Sequence, residues 1–296
     1  MSAIDTAARP APRVARPSAA WRARRTAGTV LFYGAVVALV AIFLFPSLWI
    51  LATSFKTPVE YFSYPPHWLP AQPTLANYRL MFREYEVGRV LQNSLLVATL
   101  NTVVVLLLAV PVAYALGRYR LGGDSLSFWI ISQRMLPAVA IILPLFLVAR
   151  TLGLINTYHG LLLAYSLFLT PFAIWILLGF FQDFPYDIQD AALIDGCTEL
   201  GSLVRIVLPL QAGGIFVVAL LIFVFTWNDL LIALVLTRAE TRTIMAFFTA
   251  ALVSPTQQDF GVAAGSVVLG LLPAYLFALF GQRYLARGLT MGGVKG

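Results

Sequence analysis

Long apolar runs, separated by shorter polar passages, form the main pattern of this chain. Each run has roughly 20 residues or more, the length at which a helix crosses a bilayer core about 30 Å thick. The pattern therefore predicts six membrane-spanning helices, at residues 29–53, 90–116, 126–149, 158–181, 207–236 and 261–282. The polar passages between them predict loops on the two sides of the membrane.

The composition agrees with this pattern. Of the 296 residues, 60% are hydrophobic and 11% are charged, and the mean hydropathy is +0.84. Water-soluble domains have about 45–50% apolar and about 25% charged residues. We therefore predict an all-α, polytopic membrane protein whose six-helix domain extends over residues 29–284.

Arginine is concentrated before the first apolar run. Residues 1–28 carry six arginines and a single acid, Asp5, and are rich in proline and alanine, so we predict a disordered basic tail. A cleaved signal peptide is the alternative, but the apolar run that follows exceeds the roughly 15 residues of a signal core. Basic segments favour the cytoplasm, which places the tail and, after six spans, residues 285–296 on the cytoplasmic side.

The segment at residues 183–206, between the fourth and fifth predicted spans, is acidic although this topology places it in the cytoplasm. Its five acids and one base do not reverse the topology, because the orientation rule counts lysine and arginine and gives acids little weight. We interpret the negative charge as a surface for a basic protein partner.

Small residues recur at fixed spacing in and just after this segment. The order is Asp190-Ala191-Ala192, then Gly196, Ile206 and Leu208-Pro209. Alanine and leucine favour a first short helix, glycine permits a sharp turn, and a second short helix over residues 198–207 is predicted to end at the proline. The result is a knob that another protein can grip. The alternative is an ordinary loop that happens to contain alanine and glycine.

This spacing resembles the coupling loop of permease subunits from ATP-binding-cassette (ABC) importers. That loop reads Glu-Ala-Ala, three residues, Gly, nine residues, Ile, one residue, Leu-Pro. The match is complete except that Asp190 replaces glutamate, which keeps the charge but shortens the side chain by one methylene. The maltose-type carbohydrate subfamily is similar in further segments, which are Arg134 to Pro137, Trp227-Asn228-Asp229 and Arg287 to Gly296.

The resemblance implies the type I ABC importer permease fold and the import of a sugar or related polyol across a bacterial inner membrane. The implied partners are a second permease subunit, two ATPase subunits, an extracytoplasmic solute-binding protein and membrane lipid. The residues implied to couple to an ATPase are Asp190, Ala191, Ala192, Asp195, Gly196, Leu208 and Pro209. The loop at residues 237–260 is implied to reach the binding protein, and the C-terminal tail the ATPase.

The sequence offers no catalytic chemistry of its own. Lys56 and Lys295 are its only lysines, and neither follows a glycine as the phosphate-binding lysine of a Walker loop does. The single cysteine, Cys197, and the separated His67 and His159 predict no metal site. The basic residues form no aromatic-interleaved surface for nucleic acid. ATP and Mg²⁺ are therefore expected on a partner ATPase, and this chain is not expected to be an enzyme.

Three polar residues inside the predicted spans, Arg134, Asn228 and Asp229, are candidates for a translocation path or gate. A charge at membrane depth needs water, a partner or the interface. Arg134 therefore lines an aqueous cavity or pairs with another helix, unless its side chain snorkels to the interface. Asn228 and Asp229 either hold an external gate or pair with neighbouring polar groups. Further cavity candidates, for which we expect ordinary hydrogen bonds between helices, are Asn93, Asn101, Gln133 and Ser166.

An ion-coupled secondary transporter is the alternative function. Such a protein needs membrane-buried acids for ion coupling or an inverted repeat. Asp229 is the only acid well inside a predicted span, and no repeat is evident in the sequence. The sequence therefore favours the ABC permease over this alternative.

Two features belong to the predicted outer side of the membrane. Residues 54–89 are rich in proline and aromatic residues and predict either interfacial anchoring or a docking loop. Gly261 and Gly265 form a pair of small residues four positions apart, which predicts close helix packing in the last span.

Overall fold

The computed structural model describes residues 19–253 and 260–291. Most of the predicted N-terminal tail (residues 1–18), the polar turn at residues 254–259 and the chain end at residues 292–296 lie outside the described residues. The chain divides into two compact units, Met1–Trp49 and Ile50–Gly296. All the regular structure in the described part is helical, as predicted.

In the first unit the structure describes helix α1 (Ala19–Ser54). The division falls within this helix, after Trp49. The helix begins before the predicted span at residue 29, so residues 19–28 are helical where the sequence predicted a disordered tail. Alanine and arginine are strong helix formers, and these residues continue an apolar helix that is already nucleated. Composition alone therefore placed the boundary of the tail too late.

The second unit contains the remaining helices. They are α2 (Pro58–Tyr61), α3 (Ala76–Arg83), α4 (Val87–Tyr119), α5 (Gly123–Ser132), α6 (Ala138–Thr151), α7 (Tyr158–Gln182), α8 (Asp187–Ile194), α9 (Glu199–Ser202), α10 (Leu208–Leu210), α11 (Ala212–Asn228), α12 (Leu231–Leu236), α13 (Ile244–Val253) and α14 (Phe260–Met291). A 3₁₀ turn (Gln133–Met135) joins α5 to the residues before α6, and a π-helical turn (Leu203–Val207) joins α9 to α10.

Three of the described helices are long and apolar enough to cross a membrane without interruption: Gly28–Ser54 of α1, α4 and α7. Two further pairs, Gly123–Met135 with Ala138–Thr151 and Glu199–Leu210 with Ala212–Asn228, meet this criterion only together, and they bend by 87° and 77°. Length and composition thus support three to five spans among the described residues. The sixth predicted span falls in α14, so the count of six stays a prediction.

The bends correct two of the predicted spans, which we drew as continuous helices over residues 126–149 and 207–236. In the first, Leu136 adopts an extended conformation (ψ 124°) because the residue before a proline, here Pro137, is disfavoured in the helical region. In the second, the chain stays helical through Pro209 and bends at Gln211. Pro209 follows the π-helical turn and lies inside one helical stretch that ends at Leu210, so the predicted break before the fifth span occurs two residues after the proline and not at it.

The central contact of the second unit is between α4 and α7. Ala109 and Ala113 of α4, and Ala173 and Leu177 of α7, recur four residues apart and are fully buried. The three alanines are small, and small side chains let two helix backbones approach closely. Near the end of α4, a Cβ on Gly117 would lie only 2.8 Å from the Cβ of Phe181. A residue with a side chain at position 117 would therefore force the two helices apart.

A buried polar node joins three helices of this core. The Asn101 amide of α4 donates to the Thr226 hydroxyl of α11 at 2.8 Å, and the Ser166 hydroxyl of α7 donates to the Asn101 carbonyl oxygen at 2.9 Å. These bonds confirm the inter-helix role expected for Asn101 and Ser166. Each polar group finds a partner inside the protein, as burial requires.

The residues after α1 fold against the start of α14. The amide of Asn77 on α3 donates to the backbone carbonyls of Ser54 and Lys56 at 2.8 and 2.9 Å. Two glycines of α14 lie very close to this region. A Cβ built on Gly261 would lie 2.0 Å from the Tyr61 hydroxyl, and one built on Gly265 would lie 2.7 Å from the sulfur of Met81. This confirms the predicted close packing, and it shows that the helix packed there is α3.

Candidate functional site

The acidic segment forms two short helices joined by a tight turn, as the spacing of its small residues predicted. Helix α8 ends at Ile194, and Gly196 has φ +91°, a conformation that L side chains rarely adopt. No heavy atom lies within 4 Å of a Cβ built on Gly196. The backbone conformation, and not a shortage of space, is therefore what requires glycine. After the turn, the Thr198 hydroxyl accepts a hydrogen bond from the backbone N–H of Gly201 at 3.1 Å and caps α9.

The turn is the most exposed part of this segment. Ile194 and Leu200, which flank it, are 86% and 70% exposed, an unusual position for large apolar side chains. Of the residues predicted to meet a partner, those on the surface are Ala191, Asp195, Gly196 and Pro209, those partly buried are Asp190 and Leu208, and the one that is buried is Ala192. Most of the predicted set is thus brought to one accessible region.

Side chains from the end of α4 hold this segment in place. The Arg118 guanidinium forms an ion pair with Asp190 of α8 and lies over the ring of Tyr186, 4.5 Å from its centroid. The hydroxyl of Tyr119 donates to the Glu199 carboxylate of α9 at 2.7 Å. Both short helices are therefore attached to the same turn of α4.

A fully buried glutamine links the same three helices from inside. The Gln189 amide of α8 donates to the hydroxyl of Tyr114 on α4 and, at 2.9 Å, to the hydroxyl of Ser202 on α9. Our reading of the sequence missed Gln189 and its partners. Arg118 was not identified as a site residue from the sequence, because no local pattern connects it with Asp190, 72 residues away.

The aromatic ring beneath Arg118 is uncharged. Burial, and then the proximity of Tyr114, raise the pKa of Tyr186 to about 12, although the neighbouring Arg118 acts in the opposite direction. The phenol is therefore neutral at physiological pH. The guanidinium rests on a neutral ring and faces a carboxylate, which is a favourable arrangement for a planar cation.

Arg134 lies in the 3₁₀ turn at the first bend and is exposed. Its guanidinium donates to the backbone carbonyl of Phe168 at 3.2 Å and lies 5.1 Å from the ring centroid of Phe172, both on α7. Neither of the ion pairs found among the described residues includes it. The neighbouring Gln133 lines a mainly apolar recess of about 400 Å³. Arg134 is thus bound to a helix backbone beside a recess, and not to a carboxylate.

Asn228 and Asp229 make local contacts. The Asn228 amide donates to the backbone carbonyl of Val224, in its own helix, at 2.8 Å. An oxygen of Asp229 accepts from the backbone N–H of Ile232 at 2.9 Å and, less closely, of Ala233 at 3.4 Å. Asp229 therefore caps α12, which favours pairing with neighbouring groups over the role of an external gate.

The capping contact leads to a prediction that separates charge from hydrogen bonding. Asp229→Asn keeps an acceptor oxygen, so we expect unchanged stability and uptake, whereas Asp229→Ala removes the cap and is expected to cost about 1 kcal/mol of stability. Thermal unfolding in detergent and uptake in vesicles measure the two effects. Loss of uptake in a stable Asp229→Asn protein would show instead that the negative charge itself is needed.

The loop that follows α12 is fixed by two asparagines. The Asn93 amide of α4 donates to the carbonyls of Glu240 and Arg242 at 2.8 and 3.1 Å. Asn156, at φ +59°, accepts from the backbone N–H of Arg238 at 3.0 Å. The beginning of the loop at residues 237–260 is thus tied to the core, and Asn156 was not identified from the sequence.

Comparisons with known proteins agree on one family. Residues 106–291 match the family described as "Binding-protein-dependent transport system inner membrane component". The chain is 37% identical over 259 residues to the sulfoquinovosyl glycerol transport system permease protein of Agrobacterium fabrum, covering 86% of this chain and 89% of that protein. It is 35% identical over 259 residues to the trehalose transport system permease protein of Mycobacterium tuberculosis, covering 86% and 93%.

A solved structure supports the fold. The chain superposes on a chain of a bacterial ABC transporter involved in the import of the acidic polysaccharide alginate, with a TM-score of 0.75 and 21% sequence identity. The superposition covers 92% of this chain and 99% of the other. The chain therefore has the fold of an ABC importer permease.

Proposed function

Because this chain belongs to the family of inner-membrane components of binding-protein-dependent transport systems, we propose that it forms half of a translocation path and carries ATPase motion to it. The protein is a permease subunit of an ABC importer and a multi-pass membrane protein, and it is not an enzyme. In this family the ATPase is a separate subunit. The ion-coupled alternative has no support from the relatives.

The exposure of the turn between α8 and α9 is the main support for the proposed coupling role. It presents two large apolar side chains, Ile194 and Leu200, on either side of the turn at Gly196. Apolar side chains that flank an exposed turn can pack into the cleft of a partner, where their burial would favour binding. Acidic residues beside them, among them Asp187 and Asp195, suit a partner cleft with basic residues.

The assembly that we propose contains a second permease subunit, two ATPase subunits and an extracytoplasmic solute-binding protein. Both chain termini lie in the cytoplasm, where residues 285–296 reach the ATPase interface, and the loop at residues 237–260 meets the binding protein. Closure of the ATPase pair moves the segment at residues 183–206, and the two permeases then open towards the outside. The positive-inside distribution of arginine supports this orientation.

The proposed substrate is a sugar or related polyol. Two relatives that match most of the chain are named as transporters of sulfoquinovosyl glycerol and of trehalose. Both compounds are hydroxyl-rich, and this shared chemistry supports the proposal. The choice among such solutes is left to the binding protein and the companion permease.

Purification from the native host in a mild detergent tests the proposal. We expect an ATPase, a permease and a solute-binding protein to co-purify with a tagged form of this chain, and ATP hydrolysis by the reconstituted complex to rise when the binding protein carries a sugar. A chain that purifies alone and drives uptake with an ion gradient would contradict the proposal.

A further inference from the structure

We infer that Arg118 is a positioning residue of the coupling segment, residues 183–206. Its ion pair with Asp190 ties α8 to the end of α4. Asp190 occupies the position at which the motif carries its acid, and this position was expected to serve the ATPase. The inference rests on the proposed function, since it assigns the route by which the segment transmits motion. It changes the role of Asp190 from a contact with the partner to a contact inside the permease.

The surroundings of Arg118 favour the internal pair. The side chain of Arg118 is only 19% exposed, and that of Asp190 is 50% exposed. The guanidinium is confined between the Asp190 carboxylate and the face of Tyr186, a residue that immediately precedes α8. Arginine in such a stacked and paired setting loses little further side-chain freedom when it binds. The pair therefore fixes the orientation of α8 before any partner arrives.

Independent contacts support the same attachment. Tyr119 binds Glu199 of α9, and the buried Gln189 binds Tyr114 and Ser202. Each contact joins the last part of α4 to one of the short helices, or joins the short helices to each other. The segment is therefore held to α4 as a unit, and Arg118 supplies the charged contact of that unit.

This attachment gives the segment two connections to the membrane core. The chain itself connects α8 to α7, and the side chains of Arg118 and Tyr119 connect α8 and α9 to α4. Because α4 and α7 touch at Gly117 and Phe181, a displacement of the segment reaches both helices together. Asp187 and Asp195 remain exposed and are available to the ATPase.

A mutant cycle in the complete transporter tests the inference. The variants are Arg118→Gln, Asp190→Asn, the two together, and the exchanged pair Arg118→Asp with Asp190→Arg. Asp124→Asn is the control, because it removes an exposed acid of α5 that lies outside the coupling segment. Solute transported per ATP hydrolysed in proteoliposomes and the amount of ATPase that co-purifies are measured for each.

We expect both single variants and the double variant to lower transport per ATP by the same factor, about threefold to fivefold for a partly exposed pair. The exchanged pair is expected to recover much of the loss, and ATPase co-purification is expected to stay normal throughout. A merely structural defect would lower the yield of folded complex without changing transport per ATP. Asp124→Asn is expected to keep the Arg118 pair and the wild-type transport per ATP.

The inference is overturned if Asp190→Asn releases the ATPase while Arg118→Gln behaves as wild type, since Asp190 would then contact the ATPase directly. It is also overturned if the effects of the two single variants multiply in the double variant. Failure of the proposed function has a different signature, because the unmodified chain would then bind no ATPase. The two failures are therefore separated by the wild-type sample.

Discussion

Gly196→Val is expected to uncouple ATP hydrolysis from transport while the chain stays folded. Glycine is needed here because the backbone has φ +91°, and the surroundings leave space for a side chain. Forcing such a conformation on another residue costs about 1–3 kcal/mol, and 2 kcal/mol changes the equilibrium of the turn by about thirtyfold. Uptake and ATP hydrolysis in proteoliposomes, with ATPase co-purification, measure the outcome.

Different substitutions of Gly196 are expected to uncouple transport to different degrees. Valine is expected to act most strongly, alanine less, and asparagine least, because asparagine tolerates positive φ better than other residues with a Cβ. Gly213→Ala in α11 is the control, since a Cβ at Gly213 also meets no atom within 4 Å and no positive φ is needed there. Full coupling in Gly196→Val would show that the turn geometry has no part in transmission.

Gly261→Leu is expected to destabilise the fold more than any other change considered. A Cβ at Gly261 would lie 2.0 Å from the Tyr61 hydroxyl and 2.3 Å from the Asn77 amide nitrogen. Asn77 cannot retreat without losing its bonds to the Ser54 and Lys56 carbonyls. Overpacking together with the loss of buried hydrogen bonds is expected to cost about 3 kcal/mol and to lower the thermal midpoint in detergent by roughly 5–10 °C.

Gly270→Ala on the same helix is the matched control for this prediction. The nearest atom to its Cβ is a side-chain carbon of Ile244 at 3.7 Å, an ordinary van der Waals contact. The Trp227 indole donates to the backbone carbonyl of Gly270, and this bond survives the substitution. An equal effect of the two variants would mean that the close approach of α14 to α3 does not decide stability.

The long-range hydrophobic pattern predicted the fold well where it was uniform. The predicted spans at residues 90–116 and 158–181 lie within α4 and α7, which remain single helices although each contains a proline, Pro111 and Pro171 respectively. The pattern failed at Leu136 and Gln211, where the runs stay apolar although the backbone bends. Apolarity reports burial in lipid or protein, and it carries no information on the direction of the backbone.

In the candidate site, too, the local features were predicted from the sequence and the long-range contacts were not. The spacing from Asp190 to Pro209 is local, and it correctly predicted two short helices and the turn at Gly196. The attachment to α4 joins residues that are distant in the chain, and a single sequence holds no signal for such a pair. The buried Gln189 was also missed, because a buried amide is recognised only from its hydrogen-bond partners.

The polar node at Asn101 has a consequence for the rotation of helices about their own axes. Helices α7 and α11 are apolar on all sides, so their hydrophobic pattern fixes no preferred rotation. Asn101 accepts from Ser166 and donates to Thr226 only when all three helices face it correctly. A change of one residue in register would turn a side chain by about 100° and leave buried polar groups unpaired. During transport, α4, α7 and α11 are therefore expected to turn together.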